Sequence, residues 1–149
     1  MRYWDDIKEG EVVELGSRTM EKDRMVAFAR EFDPQPFHTD EKAAEASIWG
    51  GLIASGWLTG SVLMRIFYDG YLKDTASLGS PGIDELRWLK PVRPGDTLTV
   101  RLTVLETAAS RSKPDRGIVR SLMEVVNQHG EIVMTTKGVN FFRRRPAGG

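Results

Sequence analysis

Apolar positions along this chain follow two different periods. In the first half they recur three and four apart, and Met25, Phe28, Ala29 and Phe32 fall on one face of a helix predicted over residues 21–32. Residues 11–18, rich in β formers, predict a strand before it, with Thr19 placed to cap the helix N-terminus. Thr39 or Asp40 then caps a short helix running through Ala46. The most apolar segment follows. Trp57, Leu58, Val62, Leu63, Ile66, Phe67 and Leu72 lie in a helix predicted over residues 56–72, whose only carboxylate is Asp69 near its far end. A helix apolar on nearly every side has to be wrapped by other elements.

Beyond Leu72 the period drops to two. Residues 82–92, 97–107, 117–127 and 131–142 alternate apolar with polar, as in Leu98, Val100, Leu102 and Val104. Turn signals separate them at Pro94-Gly95-Asp96, Lys113-Pro114-Asp115 and Gln128-His129-Gly130. Strands so close in sequence predict an antiparallel meander, and a meander with one apolar face must cover something. Curling the sheet around the 56–72 helix buries both apolar surfaces together. This order of strand, helices and four antiparallel strands is that of the hot-dog fold, an α+β architecture in which an antiparallel sheet wraps a central apolar helix.

Composition narrows the function. With 149 residues, 40% hydrophobic and 28% charged, the chain fits one domain over residues 1–149, and 143–149 read as a frayed tail. Lys plus Arg and Asp plus Glu number 21 each, so the net charge is zero, which disfavours nucleic acid or a membrane surface as partner and points to a small molecule. The absence of cysteine excludes a disulfide framework, a thiolate metal site and a cysteine nucleophile, and fits a reducing compartment. Neither an apolar signal core in residues 1–6 nor a run of roughly eighteen apolar residues is present, so the expectation is a soluble, cytoplasmic protein. No metal-ligand cluster or nucleotide-binding glycine loop stands out, so no metal or cofactor is expected and the chemistry left is acid and base work.

The groups for that work stand in Phe32-Asp33-Pro34-Gln35-Pro36-Phe37-His38. Adding or removing water needs one group to take a proton and another to give one, and Asp33 and His38 supply a carboxylate and an imidazole. His38 is one of only two histidines; the other, His129, reads as a solvated turn residue. Pro34 and Pro36 fix their own φ and push Asp33 and Gln35 toward extended backbone, which predicts a stiff loop outside any regular helix.

At these residues the chain resembles the MaoC-like dehydratases, which include (R)-specific enoyl-CoA hydratases. Asp33-Pro34-Gln35-Pro36-Phe37-His38 is similar to the family motif Asp-x-Asn-Pro-x-His, with Gln35 in place of asparagine. Gly50-Gly51-Leu52-Ile53-Ala54-Ser55-Gly56-Trp57-Leu58-Thr59 resembles the loop running into the central helix, with Ser55 where a histidine usually stands. The segment from Leu86 to Leu98 is similar to the strand, turn and strand beyond it. The resemblance covers about residues 5–143. It implies reversible syn addition of water to a 2-enoyl thioester, with Asp33 and His38 holding the water, Gly56 N–H as oxyanion donor, coenzyme A arriving only as part of the substrate, and a homodimer or higher homo-oligomer.

Plainer readings stand beside these. Gln35 can hydrogen-bond within its loop or line the pocket. Ser55 can contact substrate or simply cap the helix. Trp57, Met64 and Phe67 can line an acyl tunnel, although such residues at helical spacing are ordinarily core. Lys90, Arg93 and the run from Arg143 to Arg145 can meet coenzyme A phosphates or stay solvated. Arg87 reads as a surface or interface ion. Two rival functions remain: a hot-dog thioesterase, disfavoured because Asp69 is the helix's only carboxylate, and a non-catalytic acyl-thioester binding subunit, motivated by Gln35 and Ser55.

Overall fold

The structure, a computed structural model, describes residues 1–148. Its elements run β1 (Val12–Thr19), α1 (Lys22–Phe32), α2 (Pro36–Thr39), α3 (Glu41–Ala46), α4 (Gly56–Gly70), β2 (Ser77–Trp88), β3 (Thr97–Ala109), β4 (Arg116–Val126) and β5 (Ile132–Arg143). The five strands form one antiparallel sheet in the order β1-β3-β4-β5-β2. With α4 against its concave face, this is the hot-dog fold expected from the element order.

The meander holds for β3, β4 and β5 and fails for β2. β1 occupies the free edge of β3, from Val12 opposite Thr103 to Thr19 opposite Thr97, so β2 pairs instead with β5 at the far side of the sheet. Thr19 is consequently a strand residue whose hydroxyl meets that of Thr97 at 2.9 Å; Glu21 takes the N-cap position of α1. Asp40 does cap α3, accepting from Lys42 N and Ala43 N.

Alternation in β3 puts Leu98, Val100, Leu102 and Val104 in the core at 1% exposure or less, facing Leu63, Ile66 and Phe67 of α4. Each such side chain stabilises the fold by about 1.5–3 kcal/mol on burial. The wrapping of α4 is one-sided, contrary to the expectation. Trp57, Met64 and Tyr68 stay 61%, 48% and 50% exposed, because the sheet covers only the opposite stripe.

The expected frayed tail is tied down through Arg145. Arg144 N donates to Asp115 O and Arg145 N to Asp5 Oδ2, while their guanidinium groups lie over the rings of Trp4 and Tyr3. Gly149 lies outside the described residues. Among the described residues no helix is long and apolar enough to cross a membrane.

Candidate active site

α1 ends at Phe32, and Asp33 follows as its C-cap, with its N–H bonded to Ala29 O. Residues 36–39 depart from the stiff non-helical loop expected there. Pro36 sits at the first position of α2, where its fixed φ suits a helix and its missing N–H is one that would go unpaired anyway. Two residues later, His38 faces back toward Asp33.

His38 Nε2 lies 3.2 Å from Asp33 Oδ2, and the imidazole is 6% exposed against 19% for the aspartate side chain. Its other nitrogen, Nδ1, is 2.8 Å from Ile53 O. A carbonyl only accepts, so this contact assigns a proton to Nδ1. Nε2 and an ionised Oδ2 would then be two acceptors face to face unless a proton lies between them. A proton between Nε2 and Oδ2 is what this geometry accommodates, so the two side chains act as one unit.

Two further donors reach the same carboxylate. Ser55 Oγ donates to Oδ2 at 2.8 Å and Gln35 Nε2 to Oδ1 at 2.8 Å. Burial pushes the Asp33 carboxyl up, but the hydrogen bonds from Gln35 and Ser55 and the charge of His38 outweigh it and hold the group below the usual aspartate range. Ser55, wholly buried, thus spends its hydroxyl on Asp33 and does not cap α4 with it.

That choice leaves the start of α4 open. The first α4 N–H groups with backbone partners are those of Leu58 and Thr59, both to Ser55 O, so Gly56 and Trp57 precede the intrahelical ladder at the positive end of the helix. Gly56 is required there for space. A Cβ on it would come within 2.4 Å of the Trp88 indole, whose Nε1 donates to Gly56 O at 2.9 Å.

A cavity of about 270 Å³ opens at this helix end, walled by Phe37, His38, Trp49, Gly56, Thr59 and Trp88 among others. His38 and Gly56 share it. Gln35 and Ser55 do not line it, and Asp33 adjoins it where its carboxylate meets His38. Trp57 points elsewhere: its ring meets Trp88 edge-on at 5.1 Å and lines a second cavity along α4. The core reading fails for Trp57 and Met64 and holds for Phe67, which is 3% exposed and also borders that second cavity.

Sequence reasoning missed Trp88, Trp49 and Thr59. Trp88 closes β2 within the Leu86 to Leu98 segment, and an aromatic at a strand end beside a glycine-started helix was the available signal. Of the cations read as either solvated or free to meet phosphates, Arg93 and Lys90 have protein partners, as does the surface ion Arg87. Arg93 donates to Gly51 O at 3.1 Å and to Trp49 O, clamping the loop that carries Ile53 and turns at Gly50, whose φ is +67°. Lys90 pairs with Glu131, and Arg87 with Glu85. His129 is exposed in its turn, and Asp69 is paired with Arg65 at the far end of α4. Among the described residues no group of acidic, histidine or cysteine side chains has the geometry of a metal site.

A family model described as a MaoC like domain matches residues 7–127. The chain is 29% identical over 108 residues to the (R)-specific enoyl-CoA hydratase of Rhodospirillum rubrum, covering 70% of each. A crystal structure of a MaoC-like dehydratase from the same organism superposes with a TM-score of 0.89 at 41% identity, covering 97% of this chain and 98% of that one. The structure of a monoamine oxidase regulatory protein from Archaeoglobus fulgius is similar at 31% identity and a TM-score of 0.88, covering 97% and 95%. With the family model spanning most of its length and the aspartate and histidine of the motif in contact, the chain belongs to the MaoC-like domain family.

Proposed function

We propose that this protein is an acyl-CoA hydratase or dehydratase, a hydro-lyase that adds water reversibly to a 2-enoyl thioester to give a 3-hydroxyacyl thioester. The observation that carries this reading is the 3.2 Å contact between Asp33 Oδ2 and His38 Nε2, with His38 in one cavity with the open N-terminus of α4. Similarity to the R. rubrum hydratase supports it.

In the proposed reaction a water sits against both members of the pair. The Asp33 carboxylate takes one water proton as the water oxygen bonds to C3, and the imidazolium Nε2–H gives its proton to C2. His38 has the second role because it, and not Asp33, walls the cavity that would hold the thioester. Both groups act from one face, so the addition is syn. Afterwards the proton on Asp33 crosses to Nε2 and the pair is restored. Charge developing on the thioester oxygen is stabilised by Gly56 N–H at the helix start, an interaction that strengthens in the transition state.

We further propose a homodimer. β2 leaves one edge of the sheet unpaired, and Ile83, Trp88 and Leu89 are exposed beside the bare outer face of α4, an arrangement that a second copy would cover. Incubation with crotonyl-CoA and longer enoyl-CoAs, following enoyl absorbance together with free thiol, tests the activity. Loss of absorbance without thiol is the expected result. Thiol release would mean a thioesterase, and no change in either signal would mean a binding subunit.

A further inference from the structure

A second cavity of about 450 Å³ lies between α4 and the concave face of β5 and β2, bordered by Trp57, Met64, Phe67, Leu86 and Met134. Trp57, edge-on to Trp88 of the candidate active site, forms its near wall. The lining is mostly apolar, and of its polar members Ser61 and Ser80 already spend their hydroxyls on the carbonyls of Trp57 and Val139. Thr136, 4% exposed, borders the cavity, and its Oγ1 is buried without a hydrogen-bond partner.

Buried hydroxyls are nearly always partnered, and an orphan asks for an explanation. Its neighbours along the strand supply one. Thr136, Gly138 and Asn140 alternate onto the same face of β5, and a Cβ built on Gly138 would meet no atom within 4 Å. The strand thus presents a hydroxyl and an amide residue on either side of an unfilled hollow, and rotation about the Thr136 Cα–Cβ bond turns the hydroxyl into it. No lysine, arginine, aspartate or glutamate borders the cavity. A carboxylate there would be buried without a counter-charge, whereas an uncharged donor or acceptor would complete Thr136.

Where the acyl chain of the hydratase reading runs along α4 into this cavity, we propose that Thr136 selects chains carrying an uncharged polar group, such as a hydroxyl or keto oxygen, over plain alkyl chains and over chains ending in a carboxylate. The inference rests on the hydratase reading for the nature of the ligand. Its test is a binding measurement that needs no turnover.

Calorimetric titration of the full chain with hexanoyl-CoA and its 4-, 5- and 6-hydroxy derivatives, all saturated and unreactive, reads the cavity directly. At one position the hydroxyl is expected to tighten binding about tenfold, the scale of one buried hydrogen bond. Thr136→Val, equal in shape, should remove that gain, so that the hydroxy derivatives bind no tighter than hexanoyl-CoA. Thr136→Ser should restore it. Gly138→Leu, filling the hollow, should weaken every hexanoyl derivative while sparing acetyl-CoA. No gain at any position, or a gain that survives in Thr136→Val, overturns the proposal. A protein that shows the preference but hydrates no enoyl-CoA would lose the hydratase reading and keep this one. One that hydrates crotonyl-CoA but ignores the hydroxyl would lose only this one.

Discussion

The hydroxyl of Ser55 donates to Asp33 Oδ2 over 2.8 Å, and that same oxygen is the one facing His38 Nε2. A residue at the mouth of one helix therefore joins Gln35 in holding a carboxylate at the end of another in place and in its charged form. Ser55→Ala is expected to lower kcat about tenfold, the scale of one lost charge-assisted hydrogen bond. Removing a contact that holds the Asp33 carboxyl low moves its titration up, so the acid limb of the kcat/KM profile should shift to higher pH. An acid limb that stays in place would remove Ser55 from the control of Asp33.

Asp33→Asn and His38→Ala should each lower the hydration rate by about 10² or more, as expected for loss of a positioned acid or base. Circular dichroism should match the parent protein, since Asn keeps the shape at 33. Normal turnover in either variant would place the chemistry elsewhere.

Gly56→Ala sets a methyl against the Trp88 ring, with overpacking worth about 1–3 kcal/mol. Trp88→Ala in the same chain relieves the clash, so a double-mutant cycle on thermal stability should show strong coupling between the two positions. Additive stabilities would mean the indole swings away freely.

Arg93 tests a structural against a substrate role. Its bonds to Trp49 O and Gly51 O hold the loop before α4, so Arg93→Met should lower stability by about 1–2 kcal/mol. The salt dependence of coenzyme A affinity should be unchanged. A flattened salt dependence would show that Arg93 meets the phosphates after all.

Ile83→Lys places a charge on the exposed β2 edge. Sedimentation of the parent chain should give a dimer and that of the variant a monomer. A monomeric parent, or a variant that stays dimeric, would remove this edge from the interface.

Much of the fold was legible because burial enforces periodicity. The alternation of Leu98 to Val104 and the apolar run from Trp57 to Phe67 named the sheet, the helix and their mutual packing before any contact was known. The pair Asp33 and His38 was legible for a different reason: they are five residues apart, Asp33 ending α1 and His38 in the short helix that follows, so their approach is nearly local. Strand order was not legible, because whether β2 borders β3 or β5 depends on which edge β1 has already taken.

The sequence by itself determined the layers, the alternation that buries β3 and the chemical identity of the candidate acid/base pair, since these follow from short-range spacing and side-chain type. Only the tertiary structure decided that the Ser55 hydroxyl serves Asp33 and not its own helix, that Arg93 clamps a loop, that Trp88 lies over Gly56, and that Thr136 is left without a partner. Each of those depends on residues tens of positions apart meeting in space, and no local period encodes such a meeting.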